Sequence, residues 1–211
     1  MMNKGKVFSL RRMHGVRYLV KNKVIFLLLL LFVFSLLFGV VFFSKNSSAQ
    51  QTAKDLCEQY IAHRTHTRFW TVFFKTLGDS FLLMVFAFFI GSSLFGMVSA
   101  PLYIGYCGFW FGTMSAYLYA TYALKGIAFY AIAVLPAAVV FLMGLLFAAK
   151  ESILFSFVVA KQTLPKSVPT GLYHSFKNYC VRYVGVALLG VVSSVLDALL
   201  SVFFLKNFTL N

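Results

Sequence analysis

The chain has 211 residues, 61% of them hydrophobic and only 11% charged, with 26 phenylalanines, a composition that excludes a water-soluble globular domain and places it among membrane proteins. Nineteen Lys and Arg against five Asp and Glu give a net charge of +14. In so apolar a chain, that excess speaks for membrane orientation and anionic lipid rather than for nucleic acid. Cys57, Cys107 and Cys180 are an odd number without a CxxC pair, so neither a disulfide framework nor a zinc site is expected.

Residues 1–23 hold Lys4, Lys6, Arg11, Arg12, Arg17, Lys21 and Lys23 and no acid. They are expected to be a basic cytoplasmic segment that orients the chain as a topogenic flank, or else a basic helix lying against anionic lipid headgroups. From residue 24 to the end the chain reads as a single membrane domain, 24–211. Its first span, 24–43, is uninterrupted and apolar; it exceeds a signal-peptide core and is expected to stay in the membrane as an anchor.

An external loop, 44–76, follows. Within it Ala53, Leu56, Cys57, Tyr60 and Ile61 recur at the spacing of an amphipathic helix, with Ser47 or Ser48 available as its cap. Leu56, Tyr60 and Ile61 are the candidate partner-docking face, although the same stripe could equally cover lipid or the protein's own bundle. Phe69, Trp70, Phe73 and Phe74 between Arg68 and Lys75 read as an aromatic belt at the membrane surface. His63 and His66 near Cys57 and Glu58 lack the spacing of a known metal site, so no metal is expected.

The second span is expected over 80–100, started by Asp79 or Ser80 and ended by Pro101. Ser92, Gly96 and Ala100 lie four apart on it, a stripe of small residues for close helix packing. The third span, 102–124, repeats the device with Gly108 and Gly112. Lys125-Gly126 turns into the fourth, 127–149, where Pro136 should kink the helix. The apolar piece 152–160 is too short to cross alone and is a helical extension, a re-entrant piece or an interfacial helix. A cytoplasmic loop, 150–183, leads to the last span, 184–205, with Gly190 and Ser194 on one stripe. Asp197 is an acid within the bilayer, either a functional group or a hydrogen-bonded tie to a neighbouring Ser or Tyr.

The expected fold is therefore all-α, a polytopic helical membrane protein of five transmembrane helices. Most of the Lys and Arg then fall on the side of residues 1–23 and 150–183, which makes the N-terminus cytoplasmic; a six-span alternative is not strongly rejected. No nucleophile elbow, HExxH, P-loop or dinucleotide fingerprint is present, and no carboxylates are paired for acid–base work. No catalytic residue, cofactor or small-molecule substrate is expected. From the residues alone the chain scaffolds or transports.

The stretch from Phe74 to Pro136 adds to this. A first span carrying Phe38-Gly39-Val40, an outward loop, a glycine-spaced helix pair, a short glycine turn and a helix bearing Leu135-Pro136 together resemble the stage II sporulation protein M family, over roughly residues 24 to 160. The chain departs from many relatives after Pro136, where Ala137, Ala138 and Phe141 replace a polar pair and an acid. The resemblance implies a multi-pass protein of a bacterial cell membrane, the mother-cell membrane where the host sporulates. It implies a non-enzymatic anchor in forespore engulfment, with two cell-wall hydrolases, an amidase and a lytic transglycosylase, as partners. The alternative is a permease-type subunit working with a separate ATPase, using Asp197, Lys125 and the kink at Pro136, with the ATPase docked on 150–183.

Overall fold

The computed structural model describes the backbone of residues 4–65, 69–162 and 172–205, and the side chains of residues 23–60, 69–162 and 173–203. Among the described residues every element is helical: α1 (Lys4–Lys45), α2 (Ser47–Thr65), α3 (Phe69–Gly91), α4 (Gly96–Phe129), a π-helical turn (Tyr130–Val134), α5 (Leu135–Gln162), α6 (Leu172–Leu200) and a second π-helical turn (Ser201–Leu205). Four helical runs are long and apolar enough to cross a membrane: Lys23–Lys45, Phe69–Gly91, Gly96–Gln162 and Tyr173–Phe203. The third is 67 residues long. It folds back on itself at Ala123, whose φ of 49° and ψ of −129° lie outside helical space.

The doubling back is visible in the packing. Ala100, Ile104 and Cys107 of α4 bury with Leu145, Leu146 and Ala149 of α5, while Tyr117 and Leu118 bury with Phe129, Ala133 and Val134. Low numbers of one arm thus meet high numbers of the other. The turn sits two residues before the expected Lys125-Gly126, and Gly126 has a different duty there: a Cβ would run into the Leu118 carbonyl oxygen.

Helices α1 and α4 are joined by backbone contact. A Cβ on Gly108 would lie 2.6 Å from the Phe32 carbonyl oxygen, and Cβ atoms on Gly112 and Gly39 would collide with the carbonyl oxygens of Leu36 and Phe109. Phe32 and Leu36 meet Gly108 and Gly112 in the same order along their helices, so α1 and α4 run parallel. Close backbone approach at glycines is how helices associate in lipid, where apolar burial between helices contributes little.

Several expected boundaries move. The helix expected over 80–100 begins at Phe69 and ends at Gly91, so the aromatic residues Phe69, Trp70, Phe73 and Phe74 form its opening turns, with ring centroids 5.3–6.2 Å apart. The break falls at 92–95, where the Ser92 and Ser93 hydroxyls donate to the Phe89 and Ile90 carbonyls (2.8 and 2.7 Å) and compete with helix continuation. Pro101 does not break the chain; it lies in the second turn of α4, where a missing N–H removes a single bond. Residues 152–160 continue α5 without interruption to Gln162. Residues 172–183, expected in a loop, are the first turns of α6. Pro136 lies two residues beyond the π-helical turn, which shifts the backbone bonds by one residue just ahead of the absent N–H.

Candidate functional site

Helix α2 is the element that crosses nothing. It has 19 residues, alternates polar and small side chains, and lies against the ends of α1, α4 and the π-helical turn. Its inner edge is Ala53 and Cys57, both buried among Phe43, Ala116, Tyr117, Leu118, Phe129, Ala133 and Val134, with Tyr60 packed beside them. Its outer face is Gln51, Lys54, Asp55, Leu56, Glu58 and Gln59, all exposed. The stripe recognised in the sequence therefore splits: Tyr60 turns into the bundle, whereas Leu56, 45% exposed, points away. The side chain of Ile61 lies outside the described residues, as do those of His63 and His66.

The Tyr60 hydroxyl reaches Asp197. It donates to Oδ1 at 3.1 Å, and the Thr76 hydroxyl of α3 donates to Oδ2 at 2.9 Å. Asp197 is 4% exposed, so one carboxyl group of α6 collects a donor from α2 and a donor from α3. Around it Ser194 donates to the Gly190 carbonyl (2.9 Å), Ser201 to the Asp197 carbonyl (2.7 Å) and Ser193 to the Ala137 carbonyl of α5 (2.8 Å). Small hydroxyls in lipid satisfy backbone groups in this way and let helices approach.

A second polar centre occupies the opposite end of the bundle. Ser152 of α5 lies 3.3 Å from the Tyr179 hydroxyl and 3.5 Å from that of Tyr183, both on α6. Tyr179 in turn donates to the Phe88 carbonyl at 3.1 Å. Gly91 is required here, because a Cβ would strike Ser152 and come within 2.6 Å of the Tyr179 hydroxyl. Beside it the buried Glu151 carboxylate is held by Arg182 (2.6 Å) and Lys150 (3.3 Å). Ser156 caps the start of α4, accepting from the Met97 N–H at 3.2 Å and donating to the Leu94 carbonyl at 2.9 Å.

The other residues singled out in the sequence are placed as follows. Gly96 and Ala100 are buried at the start of α4, but Ser92 sits in the preceding break and shares no helix with them. Gly108 and Gly112 meet α1, and a Cβ on Gly190 would lie 2.8 Å from the Met84 methyl of α3. Ser194 and Asp197 are buried one turn apart, and Lys125 is exposed beside the Ala123 turn. Sequence reasoning missed Ser152, Tyr179 and Tyr183; the spacing of the two tyrosines, four apart, was the available signal for one helical face. Among the described residues no three His, Cys, Asp or Glu side chains come together as a metal site.

Cys57 gives this region a chemical marker. Burial, and secondarily the neighbouring Glu58 carboxylate, pushes its thiol up to about 12. An unseated thiol ionises near ~8.5, so the seated, protonated form contributes its full stability below that pH and loses it progressively as pH rises toward 12. At pH 8 a maleimide should modify the half-buried Cys180 and leave Cys57 intact. Equal labelling of the two, read by peptide mass spectrometry, would contradict the burial of α2's inner edge.

The family model described as stage II sporulation protein M matches residues 28–203, which reach into all four membrane-crossing runs. No curated protein and no solved structure matches the chain.

Proposed function

We propose, from the premise that this chain belongs to the stage II sporulation protein M family, that it is a non-enzymatic membrane anchor for a peptidoglycan-remodelling complex acting in forespore engulfment. It is a multi-pass membrane protein. The long Gly96–Gln162 run counts as two spans in this reading, because it reverses at Ala123, and the total is then five. The basic bias of residues 1–23 and 150–183 puts those segments in the cytoplasm, so α2 lies on the outer side of the mother-cell membrane.

The observation that carries the proposal is the two-faced character of α2. Its inner edge is fixed to the bundle, while Leu56 stands on an otherwise polar outer face. Among the described residues of that face Leu56 is the one large apolar side chain, held outward on a helix seated on the bundle, and a partner docking there would cover it. The partners on that face are cell-wall hydrolases, an amidase and a lytic transglycosylase, with membrane lipid around the spans. The anchor supplies position; the hydrolases supply the chemistry.

Crosslinking the tagged full-length protein in native membranes and identifying the captured proteins by mass spectrometry tests this. Both hydrolases should be recovered with the parent chain and lost with Leu56→Glu, a surface change that leaves the bundle intact. Recruitment untouched by Leu56→Glu would remove the α2 face from the proposal. An ATP-binding subunit in place of hydrolases would replace the anchor by a transporter.

A further inference from the structure

We infer that the Asp197 carboxyl group is a latch that holds α2 seated on the bundle, fixing the orientation in which its outer face is presented. The importance of that orientation rests on the function proposed above; the latch itself rests on geometry. The reason to look for one is that the described part of α2 buries little apolar surface. A 19-residue helix of mixed polarity draws most of its stability from packing on its neighbours. Among the described residues of α2 the fully buried ones are Ala53 and Cys57, two small side chains. Burial scales with the apolar area removed from water, so this pair stabilises the contact far less than two leucines would.

Against that background the Tyr60–Asp197 bond carries disproportionate weight. It links α2 to α6 across 137 positions of sequence, between a part-buried phenol and a buried carboxyl. Hydrogen bonds in such water-poor surroundings are stronger than at a surface, and a buried acceptor that loses its donor is left poorly satisfied. The acceptor is also fixed in place before α2 arrives. Thr76 holds Oδ2 from α3, and Ser201 holds the backbone carbonyl of Asp197 one turn further along. Seating α2 therefore brings the Tyr60 donor to a carboxyl group already held from α3 by Thr76. Asp197 is a positioning residue in this scheme, with Tyr60 as the bolt.

The three native cysteines report on the latch. Cys57 lies on the inner edge of α2, Cys107 lies in the α1–α4–α5 core, and Cys180 is a half-buried reference on α6. The full chain, purified in mild detergent, is exposed to a small apolar fluorogenic maleimide, and labelling of each cysteine is followed by peptide mass spectrometry. Tyr60→Phe removes only the donor and should raise Cys57 labelling about tenfold or more, with Cys107 still protected. Asp197→Leu should do the same, whereas Asp197→Asn keeps an acceptor for Tyr60 and should label close to the parent.

Cys57 that stays protected in Tyr60→Phe overturns the latch. Simultaneous exposure of Cys57 and Cys107 also overturns it, because the bond would then support the whole bundle and not α2. An Asp197→Asn chain that opens as fully as Asp197→Leu overturns the hydrogen-bonding basis. Hydrolase recruitment is not read in this experiment, so the latch and the anchor can fail separately.

Discussion

Gly112→Ala is expected to force α1 away from α4 and to lower the midpoint of thermal unfolding in detergent well below that of the parent chain. The new Cβ would collide with the Leu36 carbonyl oxygen, a backbone atom that can yield only if the whole of α1 moves. Inserting a methyl group into so close a contact costs about 1–3 kcal/mol or more. The neighbouring glycines provide a graded series. Gly108→Ala meets the Phe32 carbonyl at 2.6 Å and should be damaging too. Gly105→Ala meets only the Ser35 hydroxyl at 3.3 Å, a side chain that can rotate, and should be mild. Gly185→Ala meets nothing within 4 Å, so the gain in helix propensity, about 0.5–1 kcal/mol, should leave it neutral or stabilised. Midpoints ordered 112 < 108 < 105 < 185 are the expected result, and a Gly112→Ala chain as stable as Gly185→Ala would disprove the seam.

Arg182→Ala is the second large effect. Glu151 is 8% exposed on α5, and two cations each hold one of its carboxylate oxygens. Removing one partner of a buried pair is normally severe, about 3–5 kcal/mol. Here Lys150 remains on the second oxygen and Arg182 is itself half-exposed, which reduces the expectation to about 1.5–3 kcal/mol. The sign of the double variant distinguishes pairing from packing. Glu151→Gln with Arg182→Ala should be more stable than Arg182→Ala alone, because the stranded carboxylate has gone. If the double variant is as damaged as the sum of its parts, the arginine acts through its aliphatic stem instead.

Much of this architecture was legible because a bilayer simplifies the reading. The first apolar run was expected at 24–43 and lies inside the candidate span Lys23–Lys45. The 3–4 spacing in α2 announced a helix with an inner edge, and a Ser or Tyr was anticipated as a tie for Asp197. Helix ends were harder. Hydropathy marks where a chain enters hydrocarbon, not where its backbone bonds stop, so α3 and α6 extend through turns rich in aromatic and polar residues that had been assigned to loops. Tyr179, Tyr183 and Arg182 fell in one of those turns, and with them the second polar centre. The partner of Asp197 was hidden for another reason. Tyr60 belongs to the same apolar stripe as Leu56, and only the rotation of α2 about its axis decides which faces inward. No local pattern carries that angle.

The glycine seam between α1 and α4 also sets a timetable for biogenesis. Leu36 precedes Gly112 by 76 residues, so at a translation rate of about 5–20 residues per second it waits roughly 4–15 s for its partner. During that interval α1 sits in the bilayer with the groove at Gly39 unfilled, complementary to a ridge not yet synthesised. Nascent chains cut short before α4 would keep that groove bare, so a truncated product differs from the finished chain by a backbone surface that only α4 can cover.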